Sequence, residues 1–71
     1  MAEHIRIPLT ILRLKQVQAR TGLSRSTIYL RISERTFPQQ ISLGARAVGW
    51  IEQSITDWIE QQIAASRKVA S

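Results

Sequence analysis

Three stretches of this 71-residue sequence predict a mainly α-helical domain with a small β-hairpin. In the first, Gly22 ends one helix, and Ser24 opens a second whose first turn carries Arg25, Ser26 and Thr27. In the second, Gln40 to Leu43 and Ala47 to Ile51 alternate on either side of a turn at Gly44, Ala45 and Arg46. In the third, Ile51, Ile55, Trp58, Ile59 and Ile63 recur at the spacing of one helix face. A short helix, a glycine turn, a helix with a basic first turn and then a hairpin predict a winged helix-turn-helix DNA-binding domain of three helices plus a two-stranded wing.

Each element has a local cause. Residues 1–10 are expected to form a loose tail and residues 67–71 a frayed end, leaving residues 11–66 as the one domain. Ile11 to Leu14 suits a short extended segment with Leu12 and Leu14 turned inward. The first helix is expected from about Lys15 to Thr21, with Leu14, Val17 and Leu23 as its apolar contacts. Gly22 tolerates the positive φ that ends it. Ser24 then offers its hydroxyl to the free N–H groups of the second helix, expected from Arg25 to Glu34. Ile28 and Ile32 stand four apart and anchor that helix to the core. Leu30 lies roughly opposite them and is expected to be exposed, open to a thymine methyl or a neighbouring subunit. Thr36, Phe37 and Pro38 stop the helix, because a residue before proline is pushed out of the α region. Phe37 then plugs the gap between the second helix and the hairpin. In the hairpin, Ile41 with Leu43, and Val48 with Trp50, are expected to occupy the buried faces. The last helix starts between Glu52 and Ser54, with Ser54 or Asp57 available to cap it. Burying Trp58 and three Ile side chains at ~1.5–3 kcal/mol each is a large gain for so small a chain.

Composition narrows the chemistry. Without Cys there is no disulfide and no Cys-based metal site, and His4 has no second ligand nearby. No apolar run reaches the ~18–20 residues of a membrane span, and no signal-peptide pattern precedes Leu9. No nucleophile stands with a base and no carboxylates pair in an apolar setting, so the expectation is a non-enzyme without cofactor, acting in the cytoplasm on the nucleoid. The charge is uneven. Seven cations (Arg13, Lys15, Arg20, Arg25, Arg31, Arg35 and Arg46) face one acid, Glu34, across the middle of the chain. Beyond Ala47, Arg67 and Lys68 are outnumbered by Glu52, Asp57 and Glu60. Positive charge gathered on the helix-turn-helix is the footprint of a polyanion binder.

The residues expected to meet double-stranded DNA are Ser24, Arg25, Ser26, Thr27, Tyr29, Arg31 and Arg46. Arginine forks onto guanine O6 and N7, hydroxyls bond phosphate or base, and a tyrosine O–H donates to phosphate. Two alternatives remain open: Ser and Thr also serve as helix caps, and the Tyr29 ring suits packing against the first helix. Arg46 stands at the hairpin tip, within reach of the backbone. Arg13, Lys15 and Arg20 read as contributors to the general field. Trp50 and Trp58 suit core packing better than base stacking, and no exposed aromatic pair favours RNA. So small a domain covers few base pairs, which favours self-association on DNA.

The residues Leu12 to Val17, Arg20 to Tyr29, Phe37 and Pro38, Leu43 to Trp50, and Trp58 and Ile59 together resemble the AlpA family of prophage regulators, which is similar to excisionases and to the MerR-type winged helix. The resemblance runs unbroken from Ile11 to Ile63 and implies a transcriptional regulator of a prophage or genomic island. Such a protein controls integrase expression, excision, or both. The alternative is an excisionase-type adaptor acting mainly by recruiting an integrase through protein contacts. Two departures stand out. Family sequences often carry Gly just before the Phe-Pro pair, where Arg35 and Thr36 stand here, removing an easy left-handed cap. Acidic residues are common at the position of Ser54.

Overall fold

The computed structural model describes the backbone of residues 9–70 and the side chains of residues 9–67. In chain order the elements are β1 (Ile11–Leu12), α1 (Leu14–Thr21), α2 (Arg25–Ser33), β2 (Ile41–Gly44), β3 (Ala47–Ile51) and α3 (Glu52–Ala70). The three strands form one antiparallel sheet in the order β1-β3-β2. The expected two-stranded hairpin is therefore a three-stranded sheet. The extended segment before α1 supplies the third strand, pairing Ile11 with Ile51 and Leu12 with Trp50. Most of the expected tail, residues 1–8, lies outside the described residues.

The core is Leu12, Val17, Ile28, Phe37, Trp50 and Ile55, one side chain from nearly every element. Leu14, Leu23, Tyr29, Ile32, Val48, Trp58 and Ile59 pack around it. Both indoles are core groups with a polar handle. Trp50 Nε1 donates to the Pro38 carbonyl at 3.1 Å and Trp58 Nε1 to the Thr36 carbonyl at 2.8 Å. These bonds tie down the connector after α2, while Phe37 meets the Trp58 ring edge-on with centroids 4.8 Å apart.

Element ends follow local hydrogen bonding. α1 begins at Leu14, one residue earlier than expected, because the Gln16 side chain accepts the Arg13 N–H at 2.8 Å. It ends on Gly22 at φ +75°, whose N–H reaches the Gln18 carbonyl at 2.7 Å. The C-terminus of α2 keeps a left-handed cap without glycine. Arg35 takes φ +63°, with Arg35 N–H on the Ile32 carbonyl (3.0 Å) and Thr36 N–H on the Arg31 carbonyl (2.9 Å). α3 starts at Glu52, the early end of the expected window, and its Glu52 N–H donates to the Thr10 carbonyl at 2.8 Å. The helix continues to Ala70, past Ser66, where the domain is expected to stop.

One burial expectation fails. Ile41 and Leu43 are 37% and 43% exposed, not buried beneath the sheet. Ile41 pairs with Gly49, so it shares the face of Gly49, whereas the helices pack on the face of Leu12 and Trp50. Val48 and Trp50 do lie on the core side. Among the described side chains of α3 only Ile55 is fully buried, and Ile63 is 45% exposed, because the apolar stripe outlasts the core beneath it.

Candidate nucleic-acid interface

α2 presents one face outward. At 100° per residue, Ser26, Leu30 and Ser33 fall on the side away from Ile28 and Ile32, with Arg25 and Tyr29 on the flank between the two. Burial follows this division: Ile28 is fully buried, Arg25, Ser26 and Ser33 are exposed, and Leu30 is 56% exposed as expected. The first turn is held by Ser24, whose Oγ accepts the Thr27 N–H at 3.2 Å and donates to Thr27 Oγ1 at 2.9 Å. A second hydroxyl, on Ser26, lies 3.4 Å from the same oxygen. Ser24 and Thr27 are thus engaged in the cap, leaving Arg25 and Ser26 as the outward groups of this turn.

Arg25 and Tyr29 are one turn apart, and the guanidinium carbon sits 5.8 Å from the ring centroid. The Tyr29 ring also meets Trp50 edge-on, at 6.5 Å between centroids. Its packing neighbour is therefore β3, which sets the Arg25 guanidinium relative to the sheet. Beside this pair runs a groove lined by Arg13, Leu14, Lys15, Arg25, Tyr29, Arg46 and Val48. Four of these seven residues are cationic and none is acidic. The groove draws on the start of α1, the start of α2 and the hairpin, so residues 33 positions apart in sequence converge on it.

Of the seven residues singled out from the sequence, the structure brings Arg25, Tyr29 and Arg46 to this groove. Ser24 and Thr27 form the cap beside it, and Ser26 lies on the adjoining exposed face of α2. Arg31 sits in the last turn of α2, away from the groove lining, with its Nε buried and unpaired. Two groove residues escape the sequence reading as specific positions: Arg13 and Lys15. Arg13 donates from Nε to the Val48 carbonyl at 3.0 Å, which fixes its guanidinium against β3. Its place depends on β1 pairing with β3, and two residues of strand leave little trace in a sequence. The third field residue, Arg20, turns elsewhere. Its guanidinium bonds Glu52 at 3.1 Å and the Thr56 hydroxyl at 2.9 Å, joining α1 to α3.

Among the described residues no group of three His, Cys, Asp or Glu side chains could hold a metal ion. No described helix is long and apolar enough to cross a membrane.

Comparison with known proteins places the chain in a family. The sequence model of the family described as prophage CP4-57 regulatory protein (AlpA) matches residues 10–63, which span every element up to the middle of α3. A protein of Escherichia coli strain K12 named DNA-binding transcriptional activator AlpA is 40% identical over 63 residues, covering 80% of this chain and 90% of that protein. An uncharacterized protein of Enterobacteria phage P4, ORF88, is 42% identical over 57 residues, covering 80% of this chain and 65% of the phage protein. The matched region contains the capped start of α2, the hairpin and all four groove cations, and the chain belongs to the AlpA family of prophage regulatory proteins.

Proposed function

We propose that this protein is a sequence-specific, double-stranded DNA-binding transcriptional regulator of a prophage or genomic island. α1 and α2 act as a helix-turn-helix with α2 in the major groove, and the β2–β3 hairpin acts as a wing on the adjacent backbone. The observation that carries this reading is the acid-free groove in which Arg13, Lys15, Arg25 and Arg46 converge beside the exposed face of α2. The relative named as a DNA-binding transcriptional activator supports it.

Roles divide along the geometry. Arg25 and Ser26 meet base edges, and Leu30, one turn further along the same face, meets a thymine methyl. Arg13, Lys15 and Arg46 neutralise phosphates, and the Tyr29 hydroxyl donates to the backbone. Ser24 and Thr27 hold the first turn in shape, while Arg31 adds to the field. The protein acts in the cytoplasm on the nucleoid, where it controls integrase expression, excision, or both. The partners besides DNA are a second copy of the chain and an integrase.

The test is selection of binding sites from a random duplex pool, followed by anisotropy titrations on the enriched sequence. Arg25→Ala is expected to cost about 1–3 kcal/mol on the enriched site and to flatten the preference for it. An equal loss on all sequences would make Arg25 a backbone contact. Failure of the pool to enrich would contradict sequence-specific binding.

A further inference from the structure

The face of the sheet turned away from the core is apolar from edge to edge. Pairing places Ile11 opposite Ile51 and Ile41 opposite Gly49, so these residues share one face, and Leu12, Val48 and Trp50 share the other. Leu12 and Trp50 belong to the core and Val48 packs against it, but Ile11, Ile41, Leu43 and Ile51 do neither. A Cβ built on Gly49 would meet Ile11 Cγ2 at 2.5 Å and Leu43 Cδ1 at 3.0 Å. The bare glycine therefore lets side chains from both flanking strands close over β3 as a continuous strip. An antiparallel sheet with one face on a core ordinarily turns polar residues outward on the other. Here the outward positions are Ile, Leu, Ala and Gly.

We propose that this face is where two copies of the chain meet when they occupy neighbouring half-sites on DNA, a reading that rests on the DNA-binding function above. Charge favours a second copy as the occupant. The chain carries a net +5, yet none of the outward strand positions is charged, so two such faces meet without opposing cations. An acidic or basic partner would find nothing to pair with. The groove is lined by Val48, which packs on the core side of the sheet, so back-to-back copies leave that lining away from their contact. Area sets the strength. With Ile41 and Leu43 its only large side chains more than a third exposed, the face falls well short of the ~800 Å² that each side of a stable complex buries. The contact is therefore weak in free solution and forms where one duplex holds two copies at millimolar effective concentration, on the order of 1 mM.

The experiment compares duplexes carrying one or two copies of the pool-selected site, the two set at spacings around one helical turn, ~10 bp. Wild-type protein is expected to bind the second site on the order of tenfold more tightly than the first at the favourable spacing. Leu43→Ser, and Ile41→Thr as a milder variant suited to a strand, are expected to bind the single site as wild type does and to lose that cooperativity. Cooperativity that survives both substitutions would overturn the proposal, as would single-site binding by wild type with no cooperativity at any spacing. A lowered melting temperature of the free monomer with unchanged cooperativity would show that the face is covered within one chain, and would also overturn it. Absence of binding even to the single site would overturn the functional reading, and this proposal with it.

Discussion

Ser24 shows how one side chain's role is decided by its neighbours. From the sequence its hydroxyl suits either DNA or the helix cap, and in the structure it bonds Thr27 through both the N–H and the hydroxyl. Ser24→Ala is therefore expected to lower stability by about 0.5–2 kcal/mol. For a domain of this size that is a melting temperature lower by roughly 4–8 °C per kcal/mol, read in a thermal scan, with the salt dependence of DNA binding unchanged. Arg35 is the opposite case, a residue whose backbone is less comfortable than its surroundings. It holds φ +63° so that two amides can close the end of α2. A β-carbon in that region costs about 1–2 kcal/mol, partly offset by the greater freedom glycine has when unfolded. Arg35→Gly is expected to raise stability by roughly 0.5–1 kcal/mol, checked by denaturant unfolding. The family's habit of placing Gly before the Phe-Pro pair suggests that the left-handed cap is lost here. The backbone keeps it, and Arg35 bears the strain.

At the scale of elements, the helices were legible because each carries its own punctuation: Gly22 and Ser24 between α1 and α2, Pro38 after α2, and a long apolar stripe for α3. The sheet was legible only in part. β2 and β3 each alternate, but alternation within a strand says nothing about which face meets the core. Register decides that: opposite Gly49, Ile41 falls on the outer face, and a one-residue slip would have put it inside. β1 is two residues long and becomes visible only through its pairing with β3. The same gap hid half of the groove. Arg25 and Arg46 could be named from the α2 cap and the hairpin turn, whereas Arg13 and Lys15 take their places from where β1 delivers the chain. α3 illustrates how a stripe overstates a core. Ile55 is fully buried, so Ile55→Ala is expected to cost about 2–5 kcal/mol. Ile63 lies on the same stripe but is largely uncovered, and Ile63→Ala is expected to cost less than about 1 kcal/mol in the same unfolding assay.

Over the whole molecule, cations divide between binding and scaffold. Arg20 is occupied by Glu52 and Thr56, an exposed link worth about 0–1 kcal/mol, while four others converge on one groove without a neutralising acid. If that groove is the nucleic-acid surface, each phosphate it neutralises releases counterions, and the salt dependence of binding counts them. The most direct measurement is the affinity of the full chain for a fluorescent duplex between 50 and 200 mM salt, about a fourfold range. The three phosphate contacts assigned to Arg13, Lys15 and Arg46 give a log–log slope near −2.7, roughly a fortyfold loss of affinity over that range. Arg46→Ala is expected to reduce the slope by about one. A change of less than about threefold, or a slope untouched by Arg46→Ala, would contradict the assignment of this groove to the DNA backbone.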